Sequence, residues 1–294
     1  MYSSTTDATS SFAIRVRDMR SVDRRRRLHP ATMGAFSSPA GLHRRPWLER
    51  LRRALRDDLF VLHYQPIVSL SGGCVAHYEA LLRLADDLDG YLEAPGSFLP
   101  PAERYGLIAE IDRMVISKVA TLMGGELSGS DARVAINLSA LSIVDRGMLD
   151  HIEHELACWS VDPGRLIVEV TETAAIRDMR RAIAFCEGIH SMGGAIALDD
   201  FGAGFGSFHY LKHLPFRYLK IDGEFIRALP SSHKDQLVVQ ALVGVARGMG
   251  KQTIAEYVGD EPTIELLRDY GVDYAQGFQL GRPVHQMEAF AGIG

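Results

Sequence analysis

Between Arg133 and Gly277, short apolar runs alternate with segments of helical period, and this alternation restricts the chain to a parallel α/β sheet. The runs are RVAINL (133–138), LIVEV (166–170), AIALDD (195–200), YLKID (218–222), QTIAE (252–256) and DYAQG (273–277). Between them the spacing predicts helices near 140–158, 174–191, 207–213, 235–249 and 261–270, with a last short helix after Pro283. Gly193-Gly194, Gly248 with Gly250, and Gly271 close helices just before the next strand. So many strand–helix units at this spacing point to a closed barrel. Two further strand-like runs, Phe60–Leu70 and Cys74–Leu84, come first, joined by Ser71-Gly72-Gly73 as a hairpin turn. Before them Pro46 opens a helix over WLERLRRALRDD, with Leu48, Leu51 and Leu55 on one face. A loop and short helix over 97–105 and a longer helix over 108–123 lead into the repeat.

Polar residues sit at or near the ends of these strands. In order they are Glu79, Asn137, Glu169, Asp199 with Asp200, Lys220, Glu256 and Gln276. Glu79 alone lies inside a hairpin strand. The C-terminal ends of barrel strands converge on one face, so residues far apart in sequence meet there. A single acid at a strand end is more often a helix cap or a surface ion pair. Asp200 or Glu172 would be read that way in isolation, Lys220 as a snorkelling lysine and Asn137 as a turn residue. The whole set falling on one face calls for a functional reading. Oxygen donors from Glu, Asn and Asp suit a hard cation, Mg²⁺ or Mn²⁺. Five carboxylates crowd a single ion, and two ions bridged by one carboxylate is the simplest arrangement. Enzymes that hydrolyse phosphodiesters commonly use it.

Charge is divided unevenly along the 294 residues. Residues 1–56 hold 13 arginines and no lysine against four acids, whereas the remainder holds 19 basic and 33 acidic residues. An acidic body argues against broad nucleic-acid binding and suits a metal enzyme, whose ions carry the positive charge a phosphate substrate needs. Residues 1–45, rich in Ser, Thr, Ala and Arg, read as a disordered arm preceding a domain over 46–294. Arg24 to Arg27 offer an anionic partner a contact, although a solvated charge run is the simpler reading. The Arg-rich start is also similar to an organellar transit peptide. No apolar run approaches the roughly 18 residues of a membrane span, and no secretory h-region is present, so a cytoplasmic protein is expected. Cys74, Cys158 and Cys186 form no CxxC pair and are expected to be buried free thiols, with no disulfide framework and no structural zinc.

The motifs YQPIVSL (64–70), YEALLRL (78–84), FLPPAERYGLIAEID (98–112), INLSALS (136–142) and VEVTET (168–173) come first in the chain. DDFGAGFGSFHYLKHLPFRYLKID (199–222), IAEYV (254–258) and YAQGFQLGRP (274–283) follow. In this order and spacing, the chain from about Trp47 to Pro283 resembles the EAL-domain family of cyclic di-GMP phosphodiesterases. The resemblance implies an α/β fold, a modified TIM (β/α)₈ barrel with an antiparallel first strand. It implies hydrolysis of cyclic di-GMP to linear pGpG with Mg²⁺ or Mn²⁺, two ions per site. Glu79, Asn137, Glu169 and Asp199 then match ligands of the first ion, and Asp199 bridges to a second held with Asp200. Glu256, also counted among the ligands, and Lys220 orient or activate the attacking water. Arg83, Gln65 and Gln276 are assigned to the substrate and its surroundings, and Glu172 to securing the loop after Asp200. A homodimer through the barrel is implied as well.

Four positions depart from the family pattern. Ala203 stands for the Thr of DDFGTG, Gly259 for a second glutamate, Ser142 for Gln and Ser69 for Asp. None is a proposed ligand. The competing reading is a catalytically silent cyclic di-GMP receptor or protein-interaction module. Such relatives usually lack one or more ligands, and here the set is complete.

Overall fold

The computed structural model describes residues 45–85, 92–171, 178–202 and 211–291. The Arg-rich arm up to residue 44 lies outside the described residues, as do Glu172 and the stretch 203–210 with Ala203. The strands are β1 (Phe60–Ser69), β2 (Val75–Ala85), β3 (Leu92–Glu93), β4 (Val134–Leu138) and β5 (Leu166–Thr171). They continue with β6 (Ala195–Phe201), β7 (Tyr218–Ile221), β8 (Gln252–Ala255), β9 (Tyr274–Ala275) and β10 (Val284–His285). Eight of them close a barrel in the order β1-β9-β8-β7-β6-β5-β4-β2, and the β1–β2 hairpin completes the ring. β1 runs antiparallel to both neighbours, while pairs from β2–β4 round to β8–β9 are parallel. This is the modified (β/α)₈ barrel with a reversed first strand. β3 and β10 extend the sheet outside the ring.

Because successive side chains of a strand face opposite ways, each strand serves two compartments. Outward residues such as Ile136, Val168, Leu198 and Leu219 join the surrounding helices in the main core. Those helices include Ile108–Gly124, Met148–Cys158, Met179–Ser191, His233–Gly248 and Glu261–Tyr270. Asp178, Ser232 and Asp260 cap the last three by accepting a backbone N–H. Gly271, at φ +74, closes the final one.

Inward residues stack in two layers. The lower layer is apolar, with Ile67, Ala135, Ile167, Ala197, Tyr218 and Ile254, and His77 packs on the rings of Tyr218 and Tyr274. Two residues further along each strand stands the upper, polar layer: Glu79, Asn137, Glu169, Asp199, Lys220, Glu256 and Gln276. On the reversed β1 the same step runs backward, from Ile67 to Gln65.

Several expectations need correction. The helix expected over 140–158 is two helices, Ala140–Ile143 and Met148–Cys158. Asp145 breaks it, since its carboxylate accepts the Gly147 N–H at 2.8 Å and so competes with helical bonding. The run 273–277 contributes only a two-residue strand, and after Pro283 a short strand precedes the helix Gln286–Ala289. Helix 207–213 falls mostly outside the described residues. All three cysteines are free, but only Cys186 is buried. Cys74 is exposed beside the hairpin turn, and Cys158 ends its helix on the solvent face. No helix among the described residues is long and apolar enough to cross a membrane.

Candidate active site

The polar layer is organised around an ammonium group. Lys220 is 1% exposed. Its Nζ lies 2.5 Å from Glu169 Oε2, 2.8 Å from Glu256 Oε1, 2.9 Å from Asp199 Oδ1 and 3.7 Å from Glu79 Oε2. Glu79 is gripped from two sides. Asn137 Nδ2 donates to its Oε1 at 2.6 Å, and Gln276 Nε2 donates to its Oε2 at 2.6 Å. Gln276 Nε2 also reaches Gln65 Oε1 at 3.1 Å, and Gln65 Nε2 donates to the Gly281 carbonyl at 2.9 Å. Residues from six strands, β1, β2 and β4 to β7, and from the turns after β8 and β9 thus form one connected network.

Adjacent acids on a plain strand would face opposite ways. In β6 they do not separate, because the strand bulges: Leu198 pairs with Leu219, yet Phe201 pairs with Ile221. One residue in β6 is therefore extra, and Asp200 absorbs it at φ +54. Leu198 and Phe201 both stay in the outer core. The result is that Asp199, Asp200 and Glu256 each bring a carboxylate oxygen within 4.8 Å of the others.

Such crowding shows in the acidities. Burial first, and then Glu79, push Glu169 well above the usual carboxylate range against the opposing charge of Lys220. Glu256 is raised to about 8, mainly by burial, with Asp199 and Glu79 adding to it and Lys220 opposing. Asp200 is raised to about 6 by burial and by the neighbouring Asp199 and Asp222. Burial alone would lower Lys220, but its four carboxylates outweigh that and raise it. One cation facing this many acids leaves a deficit of positive charge. Glu169 Oε1, moreover, is buried with no hydrogen-bond partner. A hard divalent ion fits both features, since all the donors are oxygens.

The raised acids set a pH dependence. Glu256 and Asp200 bind protons more tightly folded than unfolded, so ionising them weakens the fold. In protein stripped of divalent ions, stability is expected to fall as pH rises from about 5 to about 8. Saturating Mg²⁺ is expected to flatten that slope, because bound metal favours the ionised ligands. Asp112, outside the cluster, is also raised to about 6 by burial and contributes a smaller decline that metal leaves in place. Melting temperatures across pH, with and without Mg²⁺, check this. A slope that Mg²⁺ leaves unaltered would remove the acids from metal binding.

A cavity of about 450 Å³ opens onto the layer. Glu79, Asp199, Asp200, Lys220, Glu256 and Gln276 line it, together with Gln65 and Arg83. Asn137 and Glu169 are not on its wall and join it through Glu79 and Lys220. Arg83, half-buried, is steadied by donating to its neighbour's carbonyl, Leu82 O, at 2.8 Å. Among the wall residues that sequence reasoning missed are two aromatic ones, Tyr257 and Phe278, both largely exposed. Each follows a polar site residue by one or two positions, the one signal that points to them. Gly277 lets their two loops meet, since a Cβ there would fall 2.1 Å from the Val258 carbonyl oxygen. A larger hollow of about 560 Å³ shares no wall residue with this cavity and holds none of the network.

A family model for the EAL domain matches residues 48–283. The chain is 39% identical over 248 residues to the bifunctional diguanylate cyclase/cyclic di-GMP phosphodiesterase MucR of Pseudomonas aeruginosa, covering 84% of this chain and 36% of that protein. It is 36% identical over 239 residues to the cyclic di-GMP phosphodiesterase PdeB of Shewanella oneidensis, covering 81% of this chain and 28% of that protein. The chain thus spans about a third of the length of these curated relatives. Among solved structures, the PaMucR phosphodiesterase in complex with c-di-GMP superposes with a TM-score of 0.78 at 40% identity, covering 83% of this chain and 99% of that one.

Proposed function

The chain belongs to the EAL-domain family, and we propose that it is a metal-dependent phosphodiesterase that hydrolyses cyclic di-GMP to linear pGpG. The observation that carries this reading is the connected set of oxygen donors around Lys220, open to a cavity that also presents Arg83. Glu79, Asn137, Glu169 and Asp199 would hold one Mg²⁺ or Mn²⁺, and Asp199, Asp200 and Glu256 a second. Ions bound there supply Lewis-acid charge and make a coordinated water more acidic.

The chain's own residues do the rest. Asn137 and Gln276 fix both oxygens of Glu79, so that this carboxylate meets its ion in one orientation. Lys220 keeps Glu169, Asp199 and Glu256 together before any ion arrives and sets its positive charge beside the reacting water. Glu256, 2.8 Å from the Lys220 ammonium, joins it in orienting or activating that water. The Arg83 guanidinium faces a substrate phosphate, a pairing its fork geometry favours. Glu172 is read as securing the loop after Asp200. Homodimerisation through the barrel and an anionic partner for the Arg-rich arm belong to the same proposal.

Incubating the purified chain with cyclic di-GMP and Mg²⁺ or Mn²⁺ is expected to yield pGpG on chromatographic separation. A chelator stops the reaction, and Ca²⁺ inhibits it, since that larger ion tolerates looser coordination. Intact substrate after long incubation with either activating ion would favour the silent-receptor reading.

A further inference from the structure

Directly after Glu256 the backbone turns through a left-handed residue, Tyr257, at φ +55. Bulky side chains disfavour that region, and strain of this kind gathers at binding sites. The other non-glycine residues with positive φ among those described are Asp58, Ser160 and Asp200, all small and polar. Burial does not explain the aromatic choice, because Tyr257 is 59% exposed while Glu256 and Val258 on either side are buried.

The ring is nonetheless held in place. The Arg227 guanidinium lies over it, 4.1 Å from its centroid. Gly223 provides its seat, since a Cβ added there would fall 2.2 Å from the ring's Cδ2. Tyr257 also forms part of the wall of the cavity that holds the acids and Lys220. It is therefore a largely exposed ring, backed by a guanidinium and seated on Gly223, on the wall of the cavity that holds the acids.

We propose that Tyr257 is a stacking platform for a nucleobase of the substrate, and that it sets the preference for base-bearing phosphodiesters. The inference rests on the phosphodiesterase reading above. Ions and Arg83 can hold a phosphate but cannot distinguish what hangs from it. A flat aromatic face can, because every nucleobase has a π-face and stacking excludes water from both partners. The guanidinium over the ring and the seat at Gly223 favour this one orientation, which lowers the order lost when the base arrives.

Steady-state kinetics on cyclic di-GMP with Tyr257→Phe, Tyr257→Leu and Tyr257→Gly test this. Tyr257→Phe is expected to keep KM within about twofold of the parent, as the π-face is retained. Tyr257→Leu and Tyr257→Gly are expected to raise KM about tenfold or more at little-changed kcat, the loss that removing a stacked base partner produces. Glycine suits φ +55, so Tyr257→Gly should melt no lower than the parent, which separates a lost platform from a damaged fold. An unchanged KM in the Leu and Gly variants would overturn the inference while leaving hydrolysis standing. If the parent turns nothing over, the hydrolytic reading fails. Calorimetric Kd values for cyclic di-GMP in Ca²⁺ across the same variants then decide stacking alone. No weakening in Leu and Gly, or no binding by the parent, would overturn it.

Discussion

Lys220→Met is expected to lower the melting temperature of the metal-free protein by on the order of 10 °C at pH 8, and Mg²⁺ should recover part of the loss. Removing one partner from a buried ion pair costs roughly 3–5 kcal/mol, and each kcal/mol shifts melting by about 2–4 °C in a domain of this size. Here the ammonium serves four carboxylates, so its removal leaves Glu169 fully enclosed without a counter-ion. The acids would respond by taking up protons, and the loss should therefore shrink toward pH 5. Lys220→Arg separates positioning from proton transfer. A guanidinium that only holds water and screens charge should leave some turnover, whereas arginine cannot give up a proton in a protein. Calorimetry of the two variants with and without Mg²⁺, beside their turnover, is the measurement. A Met variant as stable as the parent without metal would mean that Lys220 does not hold the acids together.

Glu79→Gln is expected to cut turnover at least about a hundredfold, the size of loss that even a residue supporting a metal ligand produces. The stability effect should run opposite to that of Lys220→Met. Glu79 helps raise both Glu169 and Glu256, so removing its charge relieves the crowding. Glutamine keeps an oxygen for Asn137 or Gln276. The metal-free variant should then melt at or above the parent temperature, while Mg²⁺ stabilises it less. Turnover, together with Mg²⁺ titration of the melting temperature, checks both halves. Near-parental turnover would show that Glu79 is not a ligand.

Which residues share the polar layer was readable because each strand is an apolar run interrupted by one inward polar side chain. Alternation fixes the facing of Asn137, Glu169 and Lys220 once the strands are recognised. Their partners were not readable. Lys220 meets Glu169, Asp199 and Glu256 because the strands are staggered, and stagger is visible only in register, as where Thr171 rather than Glu169 pairs with Asp199. Tyr257 escaped notice because its position depends on a backbone angle that periodicity does not encode. The break at Asp145 depends on one side chain competing for one backbone N–H. Cysteine exposure depends on where a turn or a helix end meets solvent. Hydrophobic pattern therefore specified the scaffold, and lateral contacts and loop angles specified the rest.

The bulge in β6 also has a genetic reading. Asp199 and Asp200 are adjacent and identical, so losing either codon encodes the same shortened chain. In that chain the surviving aspartate keeps the inward place two beyond Ala197. The phenylalanine follows as the next outward residue, toward the core where Leu198 and Phe201 now pack. The strand stays in step, because the extra residue was never part of its alternation. One in-frame codon thus separates a strand bearing the acid pair from a strand bearing a single acid, with the inward and outward alternation of β6 the same in both.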